Sequence, residues 1–541
     1  MFCWQCEQTK NGTGCDLSGI CGKKPEVSDL QDLLRFVLED LACAAVAARR
    51  HGFINPVVDR FMVAAIFSTI TNVDFDPARF RQLIGQAAYY RDRLKEKGEL
   101  DYQDTETIFQ PAASPEGLTE QARNASWRDL NDPVVLSLRE TTIYGLKGLC
   151  AYVDHASILG KEDEALFTFV HECLAATRDK NLKFDDWLQM ALKVGEMNIR
   201  AMQLLDTGNT ETYGHPQPTS VPLGARRGKC ILISGHDLAD LKMLLQQTEG
   251  LGINIYTHGE MLPAHGYPEL KKHSHFYGHF GTGWQNQATE LPQFPGPVLF
   301  TTNCIQRPGP QTSDHTFTTG LVGWPGIPHI TADENGHKDF RPVINKALAL
   351  PGYAEDIDKG DVMVGFGHHA ILAVADKLIN LIMDGKIRHI FLVAGCDGAR
   401  PSRSYYSDFV DSTPPDTLIL TLACGKFRFF DHKLGEIEGL PRLLDIGQCN
   451  DAYSAVVIAQ TLAQVLDCKI NDLPLSFIIS WYEQKACAIL LSLLYLGVKN
   501  IHLGPSLPAF IHPDILHVLG EALDLKPISS AADDLKQILE A

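Results

Sequence analysis

From residue 28 to about residue 207, hydrophobic residues recur at the spacing of an α-helix. The stretch "SDLQDLLRFVLEDLACAAVAARRHG" repeats apolar residues at positions i, i+3 and i+4. It opens with Ser28 and Gln31 at capping-box spacing and stops at Gly52. Similar stretches follow, among them "PVVLSLRETTIYGLKGLCAYVDHASILG" and "FDDWLQMALKVGEMNIRAMQLLDTG". Their summed length predicts one or two antiparallel helical bundles.

Beyond residue 229 the pattern changes to short β-branched apolar runs that alternate with helical stretches. The runs are "CILIS", "GINIYTH", "PVLFTT", "VMVGF", "HIFLVAG", "TLILTLA", "LSFIISW" and "NIHLG". Because polar residues do not alternate within them, the runs predict buried parallel strands in βα units. The segment 206–229, rich in Pro, Gly and Thr, is the predicted linker, and a second boundary is predicted near 350–362.

These patterns predict a multidomain α and α/β protein. A helical bundle domain is expected over residues 1–220, followed by α/β domains over 221–360 and 361–541. Eight parallel strands over the second part of the chain fit two doubly wound domains better than one. Binding groups in such sheets collect beyond the carboxyl ends of the strands, so a site is expected where the two α/β domains meet.

Composition narrows the class of protein further. The chain has 541 residues, with 66 acidic against 48 basic side chains and a formal net charge of −18. That charge repels phosphate backbones and anionic lipid, so we predict neither nucleic-acid nor membrane binding. The longest apolar stretch, "ACAILLSLLYLGV", is too short to cross a bilayer, and no leader pattern precedes Cys3. We therefore expect a soluble, cytoplasmic protein.

Four cysteines lie close together at the start of the chain, at Cys3, Cys6, Cys15 and Cys21. Disulfides, a zinc ion or an iron–sulfur cluster could each hold such a group, and the local sequence does not decide between them. In a reducing cytoplasm structural disulfides are rare, and clustered thiols are more often metal ligands. Disulfides are therefore the least favoured of the three.

Ligand-type residues also follow six of the apolar runs and one further short apolar run, "LLDIG". They are His236, Glu260, Cys304, Cys396, Cys424, Cys449 and Glu483. Taken singly, such a histidine, glutamate or cysteine is most often a structural residue. Their recurrence at one topological position across two domains favours a shared site. Four thiolates, two carboxylates and an imidazole are too many for one tetrahedral zinc ion, and they suit a polynuclear iron cluster with a sulfur-rich and an oxygen- and nitrogen-rich half.

The sequence resembles the hybrid cluster proteins, or prismane proteins, a family often described as hydroxylamine reductases. The match runs essentially from end to end of the chain. The motifs that carry it are "MFCWQCEQT", "GICGK", "DLQDLL", "ISGHDL", "TEGLGINIYTHGEMLPAHGYP", "TTNC", "VAGCDGARPSRSYY", "LACGKFRF", "DIGQCNDAYSA" and "SWYEQKA". The resemblance implies a helical N-terminal domain followed by two Rossmann-like α/β domains.

The resemblance also implies two iron–sulfur clusters. The cysteines at 3, 6, 15 and 21, spaced C-x2-C-x8-C-x5-C, match the branch of the family that carries an N-terminal [4Fe–4S] cluster. The seven residues that follow the apolar runs match the ligands of a hybrid [4Fe–2O–2S] cluster. Within this set Cys396 matches a cysteine that carries a persulfide, and Lys485 matches a lysine close to the cluster. The resemblance therefore implies catalytic roles for Cys396, Glu483 and Lys485.

The activity implied is the reduction of hydroxylamine to ammonia and water. Electrons would enter through the N-terminal cluster from a separate redox protein, because the chain has no GxGxxG after a strand and no GxxxxGK[ST] motif. Family members are commonly monomeric, so a monomer is expected.

Four alternatives remain open. The first is reduction of nitric oxide to nitrous oxide in defence against nitrosative stress, and the second is S-nitrosothiol transfer through Cys396. The third is a nickel-containing carbon monoxide dehydrogenase subunit, against which "YTHGE" and "SWYE" argue. The fourth is a structural zinc or iron–sulfur protein without turnover.

Overall fold

The N-terminal part of the chain is helical, as predicted. The computed structural model describes residues 1–98, 109–125 and 130–540, so the portions of the predicted domains at 99–108, 126–129 and Ala541 lie outside the described residues. The helices of this part are α1 (Pro25–Arg50), α2 (Pro56–Ser68), α3 (Pro77–Gly98), α4 (Pro115–Asn124), α5 (Pro133–Ile158), α6 (Glu164–Ala176) and α7 (Phe184–Tyr213). Proline opens each of α1 to α5, where its missing N–H costs nothing.

The capping box predicted at the start of α1 is wrong. Helix α1 begins at Pro25, three residues before Ser28, and Lys24 occupies the N-cap position without a side-chain cap. Ser28 therefore lies inside the first turn and is buried. Proline at the first helical position starts the helix earlier because its fixed φ angle is already helical.

In the remainder of the described chain, helices alternate with strands that form two six-stranded sheets and two small two-stranded sheets. The strands are β1 (Thr219–Pro222), β2 (Lys229–Ser234), β3 (Ile253–His258), β4 (Phe276–His279), β5 (Val298–Phe300), β6 (Thr316–Thr319), β7 (His329–Ile330), β8 (Asp361–Val364), β9 (His389–Gly395), β10 (Thr417–Leu422), β11 (Glu436–Ile437), β12 (Leu440–Pro441), β13 (Leu443–Gly447), β14 (Leu475–Ser480), β15 (Ile501–Gly504) and β16 (Leu525–Pro527). The first six-stranded sheet has the order β4-β3-β2-β5-β6-β7 and the second β13-β10-β9-β14-β15-β16, and the two-stranded sheets are β1-β8 and β11-β12.

Every strand pair within the two six-stranded sheets is parallel, for example β2 with β3 and β9 with β14. The connecting helices are α8 (Leu238–Thr248), α9 (Pro268–Lys271), α10 (Gln287–Glu290), α11 (Arg341–Ala349), α12 (His368–Leu372), α13 (Ala375–Met383), α14 (Ser404–Ser412), α15 (Ala452–Val465), α16 (Gln484–Tyr495), α17 (Pro513–Leu523) and α18 (Ala531–Glu540). The predicted fold class is thus confirmed: a helical region precedes two parallel α/β sheets. The exact domain limits stay predictions.

Two local predictions are wrong, both at the junctions between these parts. The segment 206–229 is not all linker, because α7 continues to Tyr213 and residues 219–222 form β1. The run "VMVGF" does not join a parallel sheet, because β8 pairs antiparallel with β1 in a separate two-stranded sheet. Alternate residues of β8 are exposed, as expected of a strand with one solvent-exposed face.

Helix α16 belongs in sequence to the last α/β part but packs into the helical region, against α5 and α7. Glycines on α5 and α7 allow this close approach. A Cβ atom at Gly195 would overlap the carbonyl oxygen of Leu491, and one at Gly148 would lie 2.5 Å from the carbonyl oxygen of Gln484. The N-terminal end of α16 is therefore held against the helical region while its preceding strand, β14, lies in the second sheet.

Among the described residues, no helix combines the length and the apolarity that a bilayer crossing requires.

Candidate metal centres

The seven ligand-type residues predicted from the sequence all follow observed strands. Each lies within four residues of the last residue of its strand. His236, Glu260 and Cys304 follow β2, β3 and β5, while Cys396, Cys424, Cys449 and Glu483 follow β9, β10, β13 and β14. Because all strands within each sheet are parallel, the residues of each set emerge at one sheet edge.

Unusual backbone conformations turn the chain sharply at two of these exits. Gly395, directly before Cys396, has φ +112°, and Ala423, directly before Cys424, has φ +63°. A positive φ is costly for alanine and is found where the surrounding structure enforces it, commonly at functional sites. The two cysteines are thus directed by a strained turn away from their strands.

Replacing Gly395 with alanine should lower stability by about 2 kcal/mol or more, since a left-handed conformation is disfavoured for any residue with a Cβ. The new Cβ would also overlap the carbonyl oxygen of Ser480 on β14. Thermal and urea unfolding would measure the loss. The control is Gly85→Ala on exposed α3, where a Cβ meets nothing within 4 Å. This control should stabilise by about 0.5–1 kcal/mol, and equal effects of the two changes would contradict the prediction.

His236, Glu260 and Cys449 form a compact buried group. The Nε2 atom of His236 lies 3.0 Å from Oε2 of Glu260, and the same oxygen accepts a 2.9 Å hydrogen bond from the backbone N–H of Cys449. One donor atom from each of the three residues lies within 4.8 Å of the others. These residues come from both sheets, so the group bridges them.

The imidazole of His236 is held in an orientation suited to metal binding. Its Nδ1 atom lies 2.8 Å from the Thr302 hydroxyl, which leaves Nε2 directed at Glu260. Burial and the nearby ammonium of Lys485 lower the pKa of His236 against the opposing effect of Glu260, which favours the neutral ring. A neutral imidazole fixed through its second nitrogen is the usual state of a metal-bound histidine.

Cys304, Cys396 and Cys424 lie together in one cluster with apolar side chains. Burial raises the pKa of the Cys424 thiol well above its usual value, and the neighbouring Glu260, Cys304 and Cys396 raise it further. Burial, followed by Glu483 and Glu260, raises the pKa of Cys396 to about 12. Without a cation these thiols would stay protonated, and as thiolates they need positive charge beside them.

Glu483 and Lys485 stand at the start of α16. The Glu483 carboxylate caps the helix by accepting a 2.9 Å hydrogen bond from the backbone N–H of Lys485. The ammonium of Lys485 lies 3.1 Å from Nε2 of His236 and 3.6 Å from Oε1 of Glu483, and it donates to Oδ1 of Asn303 at 3.4 Å. Burial alone would lower the pKa of Lys485, but the surrounding thiol and carboxyl groups raise it, so a buried positive charge stands beside the group.

The seven residues and Lys485 are therefore brought together, and their chemistry fits a polynuclear iron–sulfur group. The set mixes thiols, carboxylates and one imidazole: Cys449 lies with His236 and Glu260, and Glu483 lies near Cys304 and Cys396. A single hard cation such as Mg²⁺ would not use the thiols, and a structural zinc ion would need only four donors. Soft iron–sulfur units bound by thiolates, next to irons bound by oxygen and nitrogen, use the whole set.

The four N-terminal cysteines also converge. Cys3 and Cys15 pair through two backbone hydrogen bonds, Cys3 N to Cys15 O at 2.9 Å and Cys15 N to Cys3 O at 2.7 Å. Burial, and after it the thiols of Cys21 and Cys3, raise the pKa of Cys6 well above its usual value. Four mutually close thiols from one short segment fit a four-cysteine metal site, whether iron–sulfur or zinc.

Tyr482 lies between the two cysteine groups. Its side chain is fully buried, and its pKa is raised by burial and then by Cys6, Cys21 and Cys304. The Tyr482 ring packs against Trp284 with a centroid distance of 4.5 Å. The backbone carbonyl of Tyr482 accepts a 2.9 Å hydrogen bond from the N–H of Glu7.

A buried ion pair links the N-terminal cysteine segment to the segments around Cys396 and Trp481. Glu7, one residue after Cys6, is paired with Arg403 at 3.0 Å and with Arg400 at 2.7 Å. Arg403 also donates to the backbone carbonyls of Cys396 at 3.1 Å and Trp481 at 2.9 Å. The side chains of Glu7 and Arg403 are both fully buried.

We call the seven strand-end residues together with Lys485 the second group. Sequence reasoning missed several residues that pack beside it. Asn303 and Tyr482 directly precede candidate ligands in "TTNC" and "SWYE", so the motifs themselves offered a signal. Gln448 likewise directly precedes a candidate ligand, Cys449, and its side-chain amide donates to the backbone carbonyl of Glu260 at 2.7 Å. Tyr152 carries no signal, because it lies within the apolar pattern of α5 and approaches Cys449 only through tertiary packing.

Fold and site together define a multidomain protein, helical at its N-terminal end and α/β beyond it, with two groups of convergent cysteines suited to metal binding. The family model described as the Prismane/CO dehydrogenase family matches residues 1–536. Two relatives named hydroxylamine reductase, from Syntrophobacter fumaroxidans and Methanocella arvoryzae, are 56% and 55% identical to this chain over the full length of both proteins. The chain belongs to the Prismane/CO dehydrogenase family, which confirms the resemblance found in the sequence motifs.

Solved structures with a similar fold are carbon monoxide dehydrogenases. The enzyme from Thermococcus sp. AM4 is 18% identical with a TM-score of 0.57, and the comparison covers 100% of this chain and 90% of that one. Carbon monoxide dehydrogenase IV from Carboxydothermus hydrogenoformans is 16% identical with a TM-score of 0.56, covering 99% and 92%. At this level of identity the likeness concerns the fold alone.

Proposed function

We propose that the protein is a hydroxylamine reductase. The observation that carries the proposal is the buried group of four thiols, two carboxylates and one imidazole beside Lys485, in a chain whose full-length relatives bear that name. The reaction consumes two electrons and two protons: NH2OH + 2 e⁻ + 2 H⁺ gives NH3 and H2O. The N–O bond breaks, nitrogen is reduced, and the oxygen leaves as water.

Two iron–sulfur groups would serve this reaction. Cys3, Cys6, Cys15 and Cys21 would hold a [4Fe–4S] cluster. The seven strand-end residues would hold a hybrid [4Fe–2O–2S] cluster, with Cys396 as a persulfide. When bound, these clusters would supply the electrons and the Lewis-acid iron that binds the substrate.

The protein's own residues would position the substrate and supply hydrogen bonds. Lys485 is protonated and buried, and its ammonium is held between His236, Asn303 and Glu483. It can donate to the hydroxyl oxygen of hydroxylamine and stabilise that oxygen as it leaves. Glu483 fixes the helix turn on which Lys485 stands, which keeps the ammonium in place.

The electron route of the proposal runs from the N-terminal cysteines to the second group, past Tyr482. In support of this route, Tyr482 is buried against thiols of both groups, and Glu7 binds its backbone. A separate redox protein would be the donor. Within the proposal the protein works as a cytoplasmic monomer.

Nitric oxide is a second candidate substrate, favoured by one further observation. An apolar cavity of about 70 Å³ is lined by residues that include Gly395, Trp481 and Ala486, neighbours in sequence of Cys396 and Lys485. Such a cavity admits a small apolar gas more readily than hydroxylamine. Nitrosothiol transfer through Cys396 is less favoured, because burial raises the pKa of that thiol to about 12 and so suppresses the reactive thiolate.

A direct assay decides between these substrates. Anaerobically purified protein, supplied with reduced methyl viologen, should form ammonia from hydroxylamine. Formation of nitrous oxide from nitric oxide without ammonia from hydroxylamine would transfer the assignment to the second candidate. Absence of both products would refute the reductase proposal, and nitrosothiol transfer would then be measured.

The same protein should contain about eight irons, as two four-iron clusters require. Metal analysis of anaerobically purified protein, together with acid-labile sulfide, would check this number. Stoichiometric zinc or nickel in place of iron would contradict the two-cluster assignment.

A further inference from the structure

We propose that the loop formed by residues 8–24 is the docking surface for an acidic electron-carrier protein. The inference rests on the proposed function, in which electrons reach the N-terminal cysteines from a separate redox protein. It adds where that protein binds and what its surface is like.

The loop exposes large apolar side chains. Leu17 is 75% exposed and Ile20 is 58% exposed, which places both among the most exposed large hydrophobic residues of the described chain. Neither side chain belongs to a hydrophobic cluster of the fold. Exposed apolar residues next to a functional group are typical of an interaction site.

Both residues belong to the short segment that carries the cysteine group. They lie between Cys15 and Cys21 in sequence, and Cys21 itself is only half-buried. The loop is held in shape by the backbone pairing of Cys3 with Cys15 and by a 2.8 Å hydrogen bond from Gly19 N to Lys23 O. Electron transfer slows steeply with distance, so a partner that binds Leu17 and Ile20, next to the half-buried Cys21, would have a short route to these cysteines.

The charge of the loop differs from that of the whole protein. Residues 8–24 contain three lysines and one aspartate, in a chain with a net charge of −18. Lys10 is paired with Asp16 at 3.3 Å, Lys23 is buried, and Lys24 is exposed. Arg307 adds an exposed positive charge two residues beyond Ile305, which packs in the same cluster as Cys21.

This charge pattern selects the kind of partner. An acidic protein is repelled by a chain of this net charge, and the exposed Lys24 and Arg307 are the charges that would attract it to the loop and orient its approach. The apolar pair then supplies a contact that excludes water, surrounded by a polar rim. One electron would leave the reduced centre of the partner and enter the group held by the four cysteines.

The test uses the holoprotein and a purified acidic [4Fe–4S] ferredoxin as the probe. Stopped-flow absorbance would follow reduction of the holoprotein by reduced ferredoxin and, separately, by dithionite. Calorimetry would measure binding of oxidised ferredoxin. Leu17→Glu and Lys24→Glu should each slow reduction by ferredoxin about tenfold and weaken binding, with the dithionite rate unchanged. The matched control is Met383→Glu, because Met383 is 72% exposed at the end of α13, outside the loop.

The wild-type rate with ferredoxin should also fall as salt rises to about 0.3 M, because exposed charges are then screened. Variants that react with ferredoxin like the wild type would overturn the proposal. So would a wild-type protein that accepts electrons from dithionite and not from ferredoxin. A dimer that Leu17→Glu converts to a monomer in sedimentation would identify a second copy of this chain as the occupant and would equally overturn it. Neither the stopped-flow nor the calorimetric experiment contains hydroxylamine. Their results therefore do not depend on whether the protein reduces hydroxylamine.

Discussion

Replacing Glu260 with alanine should abolish hydroxylamine reduction and leave the protein folded. The Glu260 carboxylate lies 3.0 Å from Nε2 of His236 and accepts a hydrogen bond from the Cys449 backbone. Burial would raise its pKa, but the hydrogen bond to His236 and the charge of Lys485 outweigh burial and lower it, which favours the carboxylate form. In the proposed assignment, its loss removes one oxygen donor from the second group.

We expect activity to fall about 100-fold or more, because even residues that only support a metal ligand contribute 10–100-fold. Iron content and the electron paramagnetic resonance spectrum should change with it, while circular dichroism stays the same. The matched control is Glu269→Ala, an exposed glutamate paired with Lys272, which should leave every readout as in the wild type. Unchanged spectra and activity in Glu260→Ala would refute the proposed ligand role.

The second large effect is expected from Glu7→Gln, which should destabilise the protein by about 3–5 kcal/mol. The change leaves the Arg403 guanidinium buried beside a neutral side chain, and such an uncompensated charge is costly. Because Arg403 also binds the carbonyls of Cys396 and Trp481, the loss should loosen both cysteine groups at once. Chemical unfolding and the rate of iron release to a chelator would measure the two consequences.

A double variant separates the charge from the packing in that experiment. Glu7→Gln with Arg403→Met removes both charges, so it should be more stable than Glu7→Gln alone. Glu162→Gln breaks the exposed pair with Arg60 and should cost about 1 kcal/mol or less. A double variant no more stable than the single one would show that the unpaired charge is not the cause.

The positions of the candidate ligands in the second group could be predicted from the sequence because one rule of the fold applies at each of them. Apolar runs mark the strands, and in a parallel sheet the residue after each strand has a known place. His236, Glu260 and Cys424 could therefore be assigned to one region before any contact was seen. The helical region was equally predictable from its period of apolar residues.

Features that depend on pairing between distant segments were not predictable. The segment "VMVGF" has the composition of a core strand, yet it pairs antiparallel with residues 219–222. Nothing local distinguishes Tyr152 from the other apolar-face residues of α5. The buried pair of Glu7 and Arg403 joins residues far apart in the chain, and charged residues in a sequence are read as solvent-exposed unless their partners are known.

The packing of α16 against both α5 and α7 has a consequence for the synthesis of the protein. Domains fold as the chain emerges from the ribosome, N-terminal parts first. The glycine-lined groove on α5 and α7 must then stay open to water until residues 484–495 have been synthesised, almost at the end of the 541-residue chain. Glu483 and Lys485 arrive with that helix. In the proposed assignment, iron could therefore be enclosed at the second group only after translation is nearly complete. A nascent chain released early would leave this groove exposed to chaperones.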